Sequence, residues 1–199
     1  SAGTTGLRIY DRLSTRDDIS LISLPENLRK DENARKEAIN SADIVFLCLP
    51  DDAARQAVTF LSNSNTAIID TSTVHRVNAD WVYGFAELTG KRDAILNSKR
   101  IANPGCHASG FIALVTPLIE AGVINHDIAL NCFSVTGYSG GGKKMISEYE
   151  SESVSPLYKA PRQYGLTQQH KHLKEMQIIS GIDTAPAFCP VVADFYSGM

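Results

Sequence analysis

The first hundred residues constrain this chain most, because short, nearly unbroken apolar runs alternate there with charged, helix-forming stretches. The apolar runs are "DISLISL" (18–24), "DIVFLCLP" (43–50) and "AIIDTST" (67–73). Between them stand "ENARKEAINSA" (32–42) and "DDAARQAVTFL" (51–61), the latter opened by two acids that suit the positive end of a helix dipole. A strand apolar on both sides must be covered on both faces, and a helix between consecutive strands is the connection a parallel sheet needs. This half therefore reads as α/β, a doubly wound parallel sheet. Past residue 106 the rhythm changes. Residues 127–139 and 186–197 are longer and more alternating, with helical stretches at 143–151 and 169–180 between them. They fit an antiparallel or mixed sheet with one covered face, an α+β arrangement. The expected domains are 1–105 and 106–199.

Composition narrows the classes. With 199 residues, 43% apolar and 21% charged, the chain can bury a sizeable core. A net charge of −3 supplies no basic face for nucleic acid. No run of eighteen apolar residues is present to span a bilayer, and the N-terminus lacks a basic region followed by an apolar core. The four cysteines, Cys48, Cys106, Cys132 and Cys189, lie far apart, which fits free thiols in a reducing cytoplasm. Without a CxxC pair or an HExxH, no metal is expected. A glycine loop normally follows a strand, yet none precedes Ser1, and "DFYSGM" stops while still apolar. The chain is therefore expected to be part of a longer protein.

Gly3, Thr4, Thr5 and Gly6 precede "LRIYDRL", a plausible short helix. A glycine turn at a helix N-terminus offers N–H groups to a phosphate, as in Rossmann-type dinucleotide-binding folds; a tight turn without ligand is an equal reading. Twenty residues beyond Gly3, where an NAD site places an acid on the ribose, stands Ser23, followed by Arg29 and Lys30. That pattern favours a 2′-phosphate and hence NADP, although Asp31 and Glu32 are also close and a solvated charged loop remains open. Pro50 ends the next strand at the carboxyl edge, where open α/β sheets bind ligands.

"NPGCHASGF" (103–111) is the sharpest chemical signal. Apolar residues at 111, 114, 115, 118 and 119 give helical periodicity, and Pro104 and Gly105 force a turn just before it. Cys106 then falls in the first helical turn, where the dipole favours a thiolate. Pro117 is expected to kink or split this helix. A buried structural thiol is the alternative; it is accepted for Cys48, Cys132 and Cys189, each inside an apolar strand. A thiolate nucleophile needs an acid or base nearby. His107 is expected to point elsewhere, and His75 and His126 to be solvated. His170 and His172 stand two apart before a helical stretch, so one of them is expected to face the site.

The segments "IANPGCHASGFIALVTPLI" (101–119), "SVTGYSGGGKKMI" (134–146) and "PRQYGLTQQHKHLKEM" (161–176) resemble the shorter-chain branch of N-acetyl-gamma-glutamyl-phosphate reductase, within the semialdehyde dehydrogenases. The resemblance implies a Rossmann domain binding NADP and a mixed-sheet catalytic domain. It also implies reduction of an acyl phosphate, N-acetylglutamyl 5-phosphate, to the semialdehyde in arginine biosynthesis, by a cytoplasmic homo-oligomer, dimer or tetramer. Cys106 becomes the nucleophile, with His172 as acid–base and His170 as second choice. Asn103 either orients the substrate carbonyl or caps the helix. Arg162, Lys143 and Lys144 are candidates for the substrate's anionic groups or are solvated charges. Gly140, in the glycine-rich stretch, joins the cofactor-binding candidates. An aspartate-semialdehyde dehydrogenase and a Cys–His hydrolase are the competing readings.

Overall fold

In the computed structural model, which describes residues 4–198, the chain divides between Pro104 and Gly105 into two units. The first carries α1 (Thr4–Leu13), α2 (Glu32–Ser41), β1 (Ile44–Leu47), α3 (Asp51–Thr59), β2 (Ala67–Asp70), β3 (Val82–Tyr83), α4 (Lys91–Leu96) and β4 (Arg100–Ala102). Its sheet is wholly parallel in the order β1-β2-β4-β3, with Phe46 opposite Ile69, Ile69 opposite Ile101 and Val82 also opposite Ile101. Leu47 and Ile68 of the sheet meet Ile39 of α2 and Ala57 of α3, and Phe60 closes that core. Asp31 caps α2 by accepting the Ala34 N–H at 2.7 Å. Asn40 ties the α2 end to the turn after α3, its Oδ1 accepting the N–H groups of Ser62 (2.7 Å) and Asn63 (2.8 Å).

Two expectations change here, and two strands are added. Residues 18–24 form no strand, and Leu21 and Ile22 are 36% and 53% exposed. An apolar run becomes a strand only where a neighbour offers a hydrogen-bonding ladder, and among the described residues none lies beside this one. Thr4, Thr5 and Gly6 belong to the first turn of α1 rather than to a loop before it, and Gly3 lies outside the described residues. Two strands of the sheet, β3 and β4, escaped the sequence reading because they are two and three residues long, too short to show a period.

The second unit holds α5 (Cys106–Glu120), β5 (Asn131–Gly137), α6 (Gly142–Tyr149), β6 (Arg162–Gln163), α7 (His172–Ser180) and β7 (Ala187–Ala193). β5 and β7 run parallel and β6 joins β7 antiparallel, so the sheet is mixed. Paired residues of adjacent strands share a face. One face carries Cys132, Phe188 and Ser134; the other carries Phe133 and Cys189, with Phe133 68% exposed. α5 packs against α7 through buried Phe111, Ile112, Val115, Leu173 and Met176. Contrary to expectation, α5 runs unbroken past Pro117 to Glu120. The proline removes one bond close to the helix end, where the fewest further turns depend on it.

Candidate active site

The residue before the cysteine is fixed at both of its backbone groups. Gly105 is the extended N-cap of α5, and its N–H donates to Glu175 Oε1 at 2.7 Å. Its carbonyl accepts the Ser109 N–H and the Ser109 hydroxyl, each at 2.8 Å. Glu175 is 2% exposed, so a buried carboxylate from α7 holds the start of α5 in place. Cys106 itself is exposed, whereas Cys48, Cys132 and Cys189 are partly covered. Burial pushes the Cys48 and Cys132 thiols up from the ordinary range.

Next to Cys106, His107 is 3% exposed and bonded at both ring nitrogens. Nδ1 lies 2.7 Å from Ser134 Oγ and Nε2 lies 2.6 Å from Tyr164 Oη. Its ring sits 5.3 Å from Phe188, 6.1 Å from His170 and 5.9 Å from His172, so it faces into the same cluster as the histidine pair rather than away from it. Burial, and then the neighbouring His170, push His107 down to about 4, so it is neutral at physiological pH. Burial, and then negative charge on Cys106, push Tyr164 up to about 12, so its hydroxyl keeps its proton.

The loop that delivers Tyr164 and His170 is pinned to β7. The Tyr164 N–H donates to the Pro190 carbonyl at 3.1 Å. Gln168 grips the Phe188 backbone twice: its Nε2 donates to the carbonyl and its Oε1 accepts the N–H, both at 2.7 Å. Those two bonds hold Gln168 at φ 55°, a left-handed conformation that costs a non-glycine residue about 1–2 kcal/mol. At the start of α7 the His172 N–H donates to His170 Nδ1 at 3.2 Å. The proton of a neutral His170 therefore sits on Nε2. Burial, and then Lys171, lower the His170 pKa. His170 is half-buried, while His172 is only 4% exposed.

Arg162 is held in an aromatic clasp. Its guanidinium carbon lies 4.5 Å from the Tyr158 ring and 5.5 Å from the Tyr149 ring, and its Nε donates to Tyr149 Oη at 3.2 Å. Glu148 lies 3.8 Å away. Lys143 and Lys144 are exposed on α6. Gly140 is exposed as well, and a Cβ there would stand 3.1 Å from Thr136 Oγ1.

In the first unit, Pro50 is exposed three residues after the end of β1 and is the N-cap residue of α3 at the carboxyl edge of the sheet. Ser23, Arg29 and Lys30 are exposed in the segment between α1 and α2. Asn103 is fixed by its backbone: its N–H donates to the Asp70 carbonyl at 2.7 Å and its carbonyl accepts from Arg76 Nε at 2.9 Å. The Asn103 amide donates to the Pro104 carbonyl at 3.1 Å, and no side chain caps α5, so the capping role is set aside. His75 is 6% exposed rather than solvated. Its Nδ1 lies 2.6 Å from Asp70 Oδ2, and its ring stacks on Trp81 at 3.9 Å. The Ser72 hydroxyl also donates to Asp70 Oδ2, at 2.6 Å.

Comparison with known proteins places this geometry. Residues 3–98 match the model described as semialdehyde dehydrogenase, NAD binding domain, and residues 106–199 match the one described as semialdehyde dehydrogenase, dimerisation domain. The chain belongs to the semialdehyde dehydrogenase family. It is 48% identical over 201 residues to the N-acetyl-gamma-glutamyl-phosphate reductase of Brucella suis, covering 99% of this chain and 64% of that protein. It is 46% identical over 204 residues to N-acetyl-gamma-glutamyl-phosphate reductase 2 of a Nostoc species, covering 100% of this chain and 63% of that protein. The chain thus spans a little under two thirds of the length of these relatives. Among solved structures, the aspartate semialdehyde dehydrogenase of Francisella tularensis superposes with a TM-score of 0.60 at 12% identity, over 98% of this chain and 71% of that one. That likeness bears on the fold alone.

Within this chain, one unit gathers His107, Ser134, Tyr164, His170, His172 and Glu175 around the start of α5. Sequence reading missed Glu175, Ser134, Tyr164 and Gln168. Glu175 had a usable signal, because it stands three residues after His172 and shares its helix face. The other three had none, since strand register and loop pinning bring them in.

Proposed function

We propose that this chain forms the nucleotide-binding and nucleophile-bearing part of an NADP-dependent N-acetyl-gamma-glutamyl-phosphate reductase. The observation that carries the reading is the exposed Cys106 on a doubly fixed helix start, next in sequence to His107, whose ring lies 6.1 Å from His170 and 5.9 Å from His172, in a sequence 48% identical to such a reductase. A nicotinamide cofactor fits the first unit, where α1 begins at Thr4–Gly6 and the carboxyl edge of a parallel sheet exposes Pro50. Ser23, Arg29 and Lys30, exposed in one segment, suit a 2′-phosphate and therefore NADP. When bound, the reduced cofactor supplies a hydride.

The chain's own residues do the rest. The Cys106 thiolate attacks the acyl carbon, the carbon–oxygen bond to phosphate breaks, and a thioester remains on Sγ. After reduction the carbon bears an oxyanion and the Cys106 sulfur; reforming the carbonyl expels the thiolate and releases the aldehyde. His170 is the better placed of the histidine pair to serve that oxygen. It is half-buried, its ring lies 6.1 Å from His107, and it carries its proton on Nε2, whereas His172 is enclosed. The preference for His172 that came with the resemblance gives way on that ground. Arg162, clasped between Tyr149 and Tyr158, is preorganised to bind a carboxylate or phosphate. Self-association in a homo-oligomer is supported by the match of residues 106–199 to the dimerisation-domain model, and Phe133, 68% exposed on β5, is an apolar side chain such a contact would cover. Among the described residues no helix is long and apolar enough to cross a membrane.

Assayed in the oxidative direction with phosphate, the intact protein is expected to use N-acetylglutamate 5-semialdehyde and to show little turnover of aspartate semialdehyde. The reverse preference overturns the substrate assignment. NADPH is expected to bind at least about tenfold more tightly than NADH, roughly 1.4 kcal/mol. Replacing Arg29 and Lys30 with alanine should remove that margin, and an unchanged ratio would move the 2′-phosphate contact elsewhere.

A further inference from the structure

The hydrogen bonds around His107 can be counted. A neutral imidazole has one N–H, and burial keeps His107 neutral, yet both of its nitrogens are engaged by hydroxyls, from Ser134 on one side and Tyr164 on the other. Two settings satisfy both ring nitrogens. In the first, Tyr164 donates into Nε2, and Nδ1–H donates to Ser134. In the second, Ser134 donates into Nδ1, Nε2–H donates to the Tyr164 oxygen, and the Tyr164 proton is free to point outward. Switching between them moves no net charge. An acceptor placed beyond Tyr164 selects the second.

Cys106 directly precedes His107 in the first turn of α5, so the Tyr164 hydroxyl that bonds the His107 ring stands near the cysteine. The Tyr164 hydroxyl feels the charge of Cys106, yet no hydrogen bond joins the two side chains. An acyl group on Sγ would carry its carbonyl oxygen next to the sulfur whose charge that hydroxyl feels. The Tyr164–Gln168 loop is pinned to β7 by three backbone-directed bonds, so the hydroxyl is held in advance of any ligand. Preorganised donors aimed at developing charge are the most effective kind.

We propose that Tyr164, oriented by the His107–Ser134 pair, donates a hydrogen bond to the carbonyl oxygen of the acyl group that Cys106 attacks, as a catalytic residue beside His170. His107 and Ser134 are positioning residues that act through it. The proposal rests on Cys106 being the acylated nucleophile.

Two reactions of one thiol test it without any nucleotide. Acylation of Cys106 by p-nitrophenyl acetate builds an oxyanion; alkylation by iodoacetamide does not. Tyr164→Phe keeps the ring and removes only the hydroxyl. In the intact protein it should slow the p-nitrophenolate burst by about 10–10³-fold, by analogy with loss of one oxyanion donor. Alkylation should stay within twofold of wild type. Ser134→Ala, which removes the far end of the chain, should slow the burst by a smaller factor with alkylation again unchanged. An undiminished burst in Tyr164→Phe overturns the proposal. So does a parallel fall in both reactions, which would place Tyr164 on the thiol itself or on folding. Cys106→Ser removes the burst in every background. If the intact wild type acylates normally but reduces no acyl phosphate, the reductase reading fails while the role of Tyr164 stands.

Discussion

Each unit buries a histidine against a polar partner, and the partners differ in kind. In the first, His75 lies 2.6 Å from a fully buried carboxylate, Asp70, and is stacked on Trp81. Around it, Ser72 also bonds Asp70, and Arg76 reaches the carbonyls of Thr71 and Asn103. This is a closed brace on the carboxyl end of β2. In the second, His107 is flanked by two hydroxyls, with no carboxylate bonded to its ring, beside two more imidazoles and an exposed thiol. A histidine on a carboxylate makes a strong fixed bond that resists change. A neutral histidine between hydroxyls can reverse the direction of its bonds at little cost. The first arrangement suits holding a loop, the second suits serving a reaction.

The contrast breaks first at the thiol. Cys106→Ser is expected to abolish turnover, by more than about 10³-fold, while leaving nucleotide affinity nearly unchanged. Residual activity within tenfold of wild type would remove the nucleophile from this cluster. Iodoacetamide should label Cys106 ahead of the partly covered Cys48, Cys132 and Cys189, as mapped by peptide mass.

Within the histidine pair, His170→Asn should lower turnover by about 10²–10⁴-fold, the usual scale of acid–base assistance. His172→Asn should cost less in turnover and more in thermal stability, because that ring is enclosed. If His172→Asn alone erases the neutral-range titration of the rate, the assignment is reversed.

The brace should answer differently. His75→Phe keeps the stack on Trp81 but leaves Asp70 without its ring partner, so unfolding free energy should drop by about 3 kcal/mol or more. Turnover per folded molecule should stay within a few-fold. A large kinetic loss at unchanged stability would show that the first unit's histidine also serves the chemistry.

The smallest effect is on acid stability. Folded His107 titrates at about 4, below the ordinary histidine value of 6.5, so between those pH values the unfolded chain binds a proton that the folded chain refuses. Stability from this group is complete above pH 6.5 and is lost as pH falls towards 4, by at most about 3 kcal/mol. His170 is shifted in the same direction and adds to the loss. Denaturant melts at pH 7 and pH 4.5 measure it, and His107→Gln should flatten the slope.

The sequence by itself determined the parallel sheet, the mixed sheet after it, and the helix that starts at Cys106. All three rest on local signals: unbroken apolar runs, a change to alternation, and a Pro-Gly corner before a 3.6-residue period. It also singled out the thiol and the histidine pair, since residue type and spacing are written in the chain. Tertiary structure decided the rest. Residues 18–24 have strand composition without a strand, because pairing is a property of two segments. His107 turned inward because Ser134 on β5 and Tyr164 after β6 meet it there. Glu175 reached Gly105 across seventy positions of sequence, as the packing of α5 on α7 allowed. Which histidine is enclosed and which is half-buried was decided by packing around α7, and nothing in the spacing of two rings foretells that.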